Sequence, residues 1–310
     1  MSTKLIAIVG PTGTGKSDLA LDIAELIAAR GGQAEIVNSD SMQFYRGMDI
    51  GTAKLPLAER RGIPHHMLDT LSPRDESTAA EYQRQARAVI LDIQARGAVP
   101  IMVGGSMLYV AAVLNTFEFP GHDDALRAQL ESDLEEFGSH ELHRRLAEID
   151  ADAATRVDPF NPRRVVRALE IVTLTGKPFA AALPEVPESW QPVFEIGLNS
   201  ERANLVQRLE TRVHRMWQAG LVAEAESLIP EGIREGKTAS RAIGYAQALG
   251  QLDGTMAQDE AIAETVRLTQ RYARRQMSWF KRDERIQWLD YQDADYTAKA
   301  IGMTEAWLAE

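Results

Sequence analysis

Leu5-Ile-Ala-Ile-Val9 runs directly into Gly10-Pro-Thr-Gly-Thr-Gly-Lys-Ser17, and this junction decides the fold. The first five residues are apolar without alternation, as in a strand covered on both faces of a parallel sheet. The next eight match G-x-x-x-x-G-K-[ST] in full, after a strand and before a helix. The glycines let backbone N–H groups turn inward around an anion. The helix N-terminus adds its positive end, and Lys16 adds a point charge. Ser17 is placed to bind a Mg²⁺ that bridges phosphate oxygens. The stretch predicts a P-loop NTPase-like α/β fold and a site for a di- or triphosphate.

Outward from the loop, strand and helix patterns alternate. Leu19, Ile23, Leu26 and Ile27 mark a helix over 17–30 that stops at Gly31-Gly32. Residues 35–38 read as a second strand, 78–96 as a helix and 99–103 as a third strand that ends at Gly104-Gly105. Strand–helix–strand with short links predicts a parallel sheet flanked by helices. Beyond it the spacing predicts helices over 123–149, 162–176, 201–219, 221–229, 239–251 and 258–282, with one strand over 194–198. Glycine and proline cluster over 176–192, which reads as a loop or boundary. The simplest layout is a core of residues 1–115 and 191–310 with a mostly helical insertion over 116–190.

Composition narrows the chemistry. The 310 residues contain no cysteine, which excludes disulfides, thiolate zinc sites and cysteine nucleophiles. The six histidines form no metal-spaced set. No apolar run approaches a membrane span. A cytoplasmic monomer with no membrane partner is expected. The net charge of −11 hides an uneven distribution. Residues 118–152 carry 11 acidic and 3 basic side chains, whereas 267–285 carry 7 basic and 2 acidic.

Three classes use such a loop: a phosphoryl-transfer kinase, a nucleotide-hydrolysing switch or motor, and a transferase whose leaving group is diphosphate. The guanine signature N-K-x-D is absent, and no acidic residue follows Asp40 as a motor's strand would require. Asp40 itself reads either as a Mg²⁺ ligand or turn residue, or as a general base facing the substrate.

Further motifs occur in order: Asp40-Ser-Met-Gln-Phe-Tyr45, Asp49-Ile-Gly-Thr-Ala-Lys54, Gly62-Ile-Pro-His-His66 and Val103-Gly-Gly-Ser-Met-Leu-Tyr109. Then come Asn161-Pro-Arg-Arg-Val-Val-Arg-Ala-Leu-Glu170, Ser240-Arg-Ala-Ile-Gly-Tyr-Ala-Gln247 and Thr269-Gln-Arg-Tyr-Ala-Arg-Arg-Gln-Met-Ser-Trp-Phe280, followed by Lys281. The series resembles the bacterial tRNA dimethylallyltransferases, also called tRNA isopentenyltransferases. The resemblance implies transfer of a dimethylallyl group from dimethylallyl diphosphate to the exocyclic amine of the adenosine 3′ of the anticodon. It assigns Gly10, Pro11, Thr12, Gly13, Thr14, Gly15, Lys16 and Ser17 to the diphosphate, with Mg²⁺ bridging from Ser17. Asp40 becomes the base, and Ser106, where the family usually has threonine, the hydroxyl beside the leaving oxygen. Arg241 is implied near diphosphate and tRNA, and Arg127 at tRNA.

A base stacked in an anticodon loop must leave the stack to reach such a cleft. Asp40, Ser41, Met42 and Gln43 put acid, hydroxyl and amide groups beside the chemistry, and Gln43 suits the edge of adenine. Arg271, Arg274, Arg275, Ser278, Lys281 and Arg282 recur at i, i+3, i+4 spacing as one stripe. Within that family segment, Arg274, Arg275, Gln276 and Lys281 are assigned to the tRNA anticodon arm. Arg163, Arg164 and Arg167 make a second stripe on the insertion. The competing readings are prenylation of free adenine nucleotides and a small-molecule kinase.

Overall fold

The computed structural model describes residues 4–116, 119–179 and 187–309. They divide into two compact units, one of residues up to Asn115 together with those from Ser189, the other Thr116–Glu188. The expected 176–192 loop falls partly on 180–186, outside the described residues.

The larger unit is built on six parallel strands: β1 (Leu5–Val9), β2 (Ala34–Asn38), β3 (His65–His66), β4 (Val99–Val103), β5 (Val193–Asn199) and β6 (Gln287–Asp290). Their order is β3-β2-β4-β1-β5-β6. Helices α1 (Lys16–Ala29), α2 (Ala79–Ala95) and α3 (Met107–Leu114) belong to this unit. The smaller unit holds α4 (Asp124–Ile149), α5 (Ala151–Arg156) and α6 (Pro162–Thr175). The larger unit resumes with α7 (Arg202–Gln218), α8 (Leu221–Ser227), α9 (Tyr245–Leu252), α10 (Gln258–Phe280) and α11 (Tyr296–Ala309). Among the described residues, no helix is long and apolar enough to cross a membrane.

Strand β1 shows why its sequence does not alternate. Leu5, Ala7 and Val9 enter a core with Tyr82 and Ile90 of α2, Val110 of α3 and Phe280 of α10. Ile6 and Ile8 enter the opposite core with Leu19, Ile23 and Ile27 of α1 and Ala300 of α11. Both faces are covered, so both sets of side chains must be apolar. In the smaller unit, Leu142 and Leu146 of α4 pack on Val165, Val166 and Leu169 of α6.

Several elements differ from the sequence expectation, among them the short helices α3 and α5, which it did not include. The helix expected over 239–251 is a short turn at Ala239–Arg241, then α9. Gly244 between them has φ +95°, which no continuous right-handed helix accommodates. Strands β3 and β6 were not expected, because two and four half-buried residues give too short a pattern to read. Helix α11 has weak amphipathic spacing, although Ala300 and Thr304 are fully buried.

Candidate active site

The carboxyl ends of β1, β2 and β4 open into a cleft of about 990 Å³. That is the usual ligand position in an open parallel sheet. Gly10, Pro11, Thr12, Gly13, Thr14, Gly15, Lys16 and Ser17 form the loop from β1 to α1. Gly10 sits at φ +134° with the Leu198 carbonyl where a Cβ would project, so only glycine fits. Within the loop, the Thr14 hydroxyl donates to the Pro11 carbonyl at 2.9 Å, and Lys16 Nζ to the same carbonyl at 2.6 Å.

Two arginines from α7 grip the loop. Arg212 donates to the Thr12 hydroxyl at 2.9 Å, and Arg208 Nε donates to the Gly13 carbonyl at 3.0 Å. Arg208 also stacks on Tyr291, 4.2 Å from its ring centroid, and donates to its hydroxyl. Arg208, Arg212 and Arg215 all line the cleft. Their i, i+4, i+7 spacing on the helix after β5 was the available signal, and sequence reasoning passed over it. Arg241 was expected here instead. It is exposed on the Ala239–Arg241 turn and is not among the residues that line the cleft.

Asp40 caps the turn Ser41–Phe44, its Oδ1 accepting from the Met42 N–H at 3.0 Å. Asn38 fixes it from behind: Oδ1 accepts from the Asp40 N–H at 3.0 Å, and Nδ2 donates to the Asp40 carbonyl at 3.1 Å. Burial pushes the Asp40 carboxyl up from its ordinary value, against the Met42 N–H and the nearby charges of Lys16 and Arg212. Burial pulls Lys16 down to about 8, with Asp40 opposing and Arg212 adding to the fall. A half-buried carboxylate and two cations therefore share one cleft.

Ser106 begins α3 and is buried. Its Oγ accepts from the Ser41 N–H at 2.9 Å and lies 3.1 Å from the Ser41 hydroxyl. Burial pushes the Tyr272 phenol of α10, beside Ser106, up to about 12. Gln43 Nε2 donates to the Thr52 carbonyl at 3.1 Å, the group that Arg212 also reaches. Met42 is partly buried against Tyr45 and Met48 rather than in the cleft lining. The segment behind it is pinned by Lys54, whose buried Nζ reaches Asp49 at 2.7 Å and Asp69 at 2.6 Å.

Among the described residues, no three His, Asp or Glu side chains gather as a metal cage. The side-chain oxygens at the loop include the exposed Ser17 hydroxyl and the Asp40 carboxylate. Such a donor set fits a Mg²⁺ that takes most of its ligands from phosphate oxygens and water.

On α10, Arg271, Arg274, Arg275 and Ser278 are exposed, and so are Lys281 and Arg282 in the turn that follows it. Gln276 is not part of that stripe. It lies about 100° around the helix from Arg275 and is 2% exposed, facing the cleft. In the smaller unit Arg163 and Arg164 are exposed at the start of α6. Arg127 and Arg167 instead turn onto the fully buried Glu170, Arg167 at 2.6 Å, with His122 Nδ1 also at 2.6 Å. Burial pushes the Glu170 carboxyl up, but its hydrogen bonds to Arg127, Arg167 and His122 outweigh that and hold it at about 2.

A family model described as IPP transferase matches residues 43–283, beginning past the phosphate loop. The tRNA dimethylallyltransferase of Thermobifida fusca is 52% identical over 303 residues, covering 98% of this chain and 94% of that protein. Among solved structures, the full-length tRNA isopentenylpyrophosphate transferase from Bacillus halodurans superposes with TM-score 0.70 at 37% identity, covering 99% of this chain and 96% of that one. A eukaryotic dimethylallyltransferase acting on tRNA gives TM-score 0.80 at 28% identity, over 99% of this chain and 80% of that one. With a family match over most of its length and half its residues shared with a full-length relative, the chain belongs to the IPP transferase family, that of the tRNA dimethylallyltransferases.

Proposed function

We propose that this chain transfers the dimethylallyl group of dimethylallyl diphosphate to the exocyclic amine of the adenosine 3′ of the anticodon in tRNA, releasing diphosphate. The observation that carries the reading is the half-buried Asp40 in one cleft with a phosphate loop flanked by Lys16 and Arg212. A hydrolase or kinase needs the loop, but an amine acceptor also needs a base where the new bond forms. Support comes from the relatives, which are named tRNA dimethylallyltransferase or dimethylallyltransferase acting on tRNA.

The chemistry divides between the two sides of the cleft. The allylic C–O bond breaks and the electron pair leaves on the diphosphate. Backbone N–H groups of the loop, Lys16 and Arg212 stabilise that growing charge. Ser106 holds a hydroxyl toward the bridging oxygen. Ser17 would hold Mg²⁺, which would supply positive charge to neutralise the leaving group. As the amine nitrogen bonds the allylic carbon, it must shed a proton, and Asp40 takes it. The flipped adenosine is held by the Asp40–Gln43 turn. The exposed cations Arg274, Arg275 and Lys281, with Arg163 and Arg164 of the smaller unit, meet the RNA backbone.

The test is nucleoside mass spectrometry of unmodified tRNA incubated with the enzyme, Mg²⁺ and dimethylallyl diphosphate, without ATP. One dimethylallyl group on the adenosine 3′ of the anticodon is the expected product. Product only on free adenine nucleotides moves the acceptor, and phosphorylation with ATP alone replaces the reading with a kinase.

A further inference from the structure

Gln276 is the polar residue on the buried line of the basic α10 segment, between Ala273 and Phe280, and both ends of its amide are used. Its Oε1 accepts from the Thr12 N–H in the phosphate loop at 2.9 Å. Its Nε2 donates to the Gly105 carbonyl at 2.8 Å, one residue before Ser106. The side chain is 2% exposed and its bond to Gly105 is buried, so no water replaces that bond. The fit is close on the far side as well: a Cβ on Gly105 would collide with Nε2. Thr12 is thereby gripped from two helices, its N–H by Gln276 of α10 and its hydroxyl by Arg212 of α7.

These contacts join two parts that the reaction needs at fixed separation. The phosphate loop holds the diphosphate. On that reading the Gly105–Ser106 turn would supply the Ser106 hydroxyl to the oxygen that leaves. Backbone hydrogen bonds of the sheet tie Gly104 to β1, through the Ile8 carbonyl at 3.2 Å, but stop short of residues 105 and 106. An amide has one acceptor and two donors at a set distance, so it can brace a backbone N–H against a backbone carbonyl. A cation at the same position could satisfy only the carbonyl.

The geometry points to Gln276 as a positioning residue that braces the phosphate loop against the Ser106 turn, and not as a reader of RNA. The inference rests on the diphosphate reading of the loop, and the experiment separates the two. Inorganic diphosphate with Mg²⁺ is titrated into wild-type enzyme and Gln276→Met, and binding of unmodified tRNA is measured on the same samples. For Gln276→Met, diphosphate affinity and KM for dimethylallyl diphosphate should each worsen about tenfold, the loss of two buried hydrogen bonds partly offset by relaxation. The kcat should fall as well, while tRNA affinity stays within about twofold, the spread of a residue outside the RNA contact. Gln276→Asn is the second variant, because it keeps the amide's chemistry and is one methylene too short to span both partners. It should reproduce the diphosphate defect. Weakened tRNA binding with unchanged diphosphate binding would overturn the inference and make Gln276 an RNA contact. Lower melting temperature with both affinities unchanged would reduce it to packing. A wild-type enzyme that binds no diphosphate would instead overturn the function proposed for the loop.

Discussion

Arginines in the two units are used in opposite ways. Arg208 and Arg212 of the larger unit bond a backbone carbonyl, hydroxyls and a ring. Among the described residues neither has a carboxylate within ion-pair distance, so their charge remains available to an incoming anion. Arg127 and Arg167 of the smaller unit spend theirs on Glu170, the buried carboxylate of α6. The residue type is the same in both places. The neighbour decides whether an arginine binds a ligand or holds a fold, and sequence spacing does not show the neighbour.

The comparison is sharpest where the cleft's own carboxylate is removed. Asp40→Asn should lower turnover by about 10²–10⁴-fold, the range for loss of a positioned base. Diphosphate binding should persist, since the loop and its cations are intact. Rapid-quench kinetics with tRNA in excess checks this, and near-normal turnover would take Asp40 out of the mechanism.

Glu170→Gln attacks the other side of the comparison. It leaves two guanidiniums facing an uncharged amide and should destabilise the protein by about 3 kcal/mol, the low end for breaking a buried pair, because both arginines still reach solvent. The dependence on pH has a definite sign. Glu170 is held at about 2 in the fold, below the ordinary value of about 4.3. Its contribution is fully present above that ordinary value and is lost as pH falls toward 2. Denaturant midpoints of wild type and Glu170→Gln should therefore differ at pH 6 and converge in acid.

Activity should titrate at both ends. Burial raises Asp40, so the acid limb of kcat/KM should lie above the usual carboxylate range. Lys16 sits at about 8, so the alkaline limb should fall near that pH in kcat/KM for the allylic diphosphate. The limb should move to higher pH in kcat, because bound diphosphate favours the charged amine. A profile flat through pH 9 in kcat/KM would contradict the account of Lys16.

The smallest effect belongs to the exposed stripe. Arg275→Ala should weaken tRNA binding only a few-fold and lower the salt slope by about one, as for one phosphate contact. Arg127→Ala should instead lower stability, with RNA affinity following only as far as the smaller unit unfolds.

The sequence was most legible where one local pattern carries the function. The strand–loop–helix junction at 5–17 placed the fold, the loop and Lys16, and the strand end at Asn38 placed Asp40. Legibility fell where contacts join distant segments. Nothing near Thr12 announces Arg212 or Gln276, which arrive 200 and 264 residues later. The inward turn of Gln276 did leave a trace. Ala273, Gln276 and Phe280 fall on one buried line of α10, and a glutamine on an apolar line needs partners. The resemblance assigns Arg127 to tRNA and the stripe spacing assigns Arg167, and neither signal shows the buried Glu170 that both side chains meet.

The central claim is that partner identity separates ligand-binding from structural arginines. Calorimetric titration of inorganic diphosphate with Mg²⁺ into wild type, Arg212→Gln and Arg127→Gln tests it most directly. The account predicts that Arg212→Gln weakens diphosphate binding by about tenfold or more, as for a lost charge-assisted contact, while Arg127→Gln binds like wild type. Equal affinities across all three proteins, or a loss confined to Arg127→Gln, would contradict it.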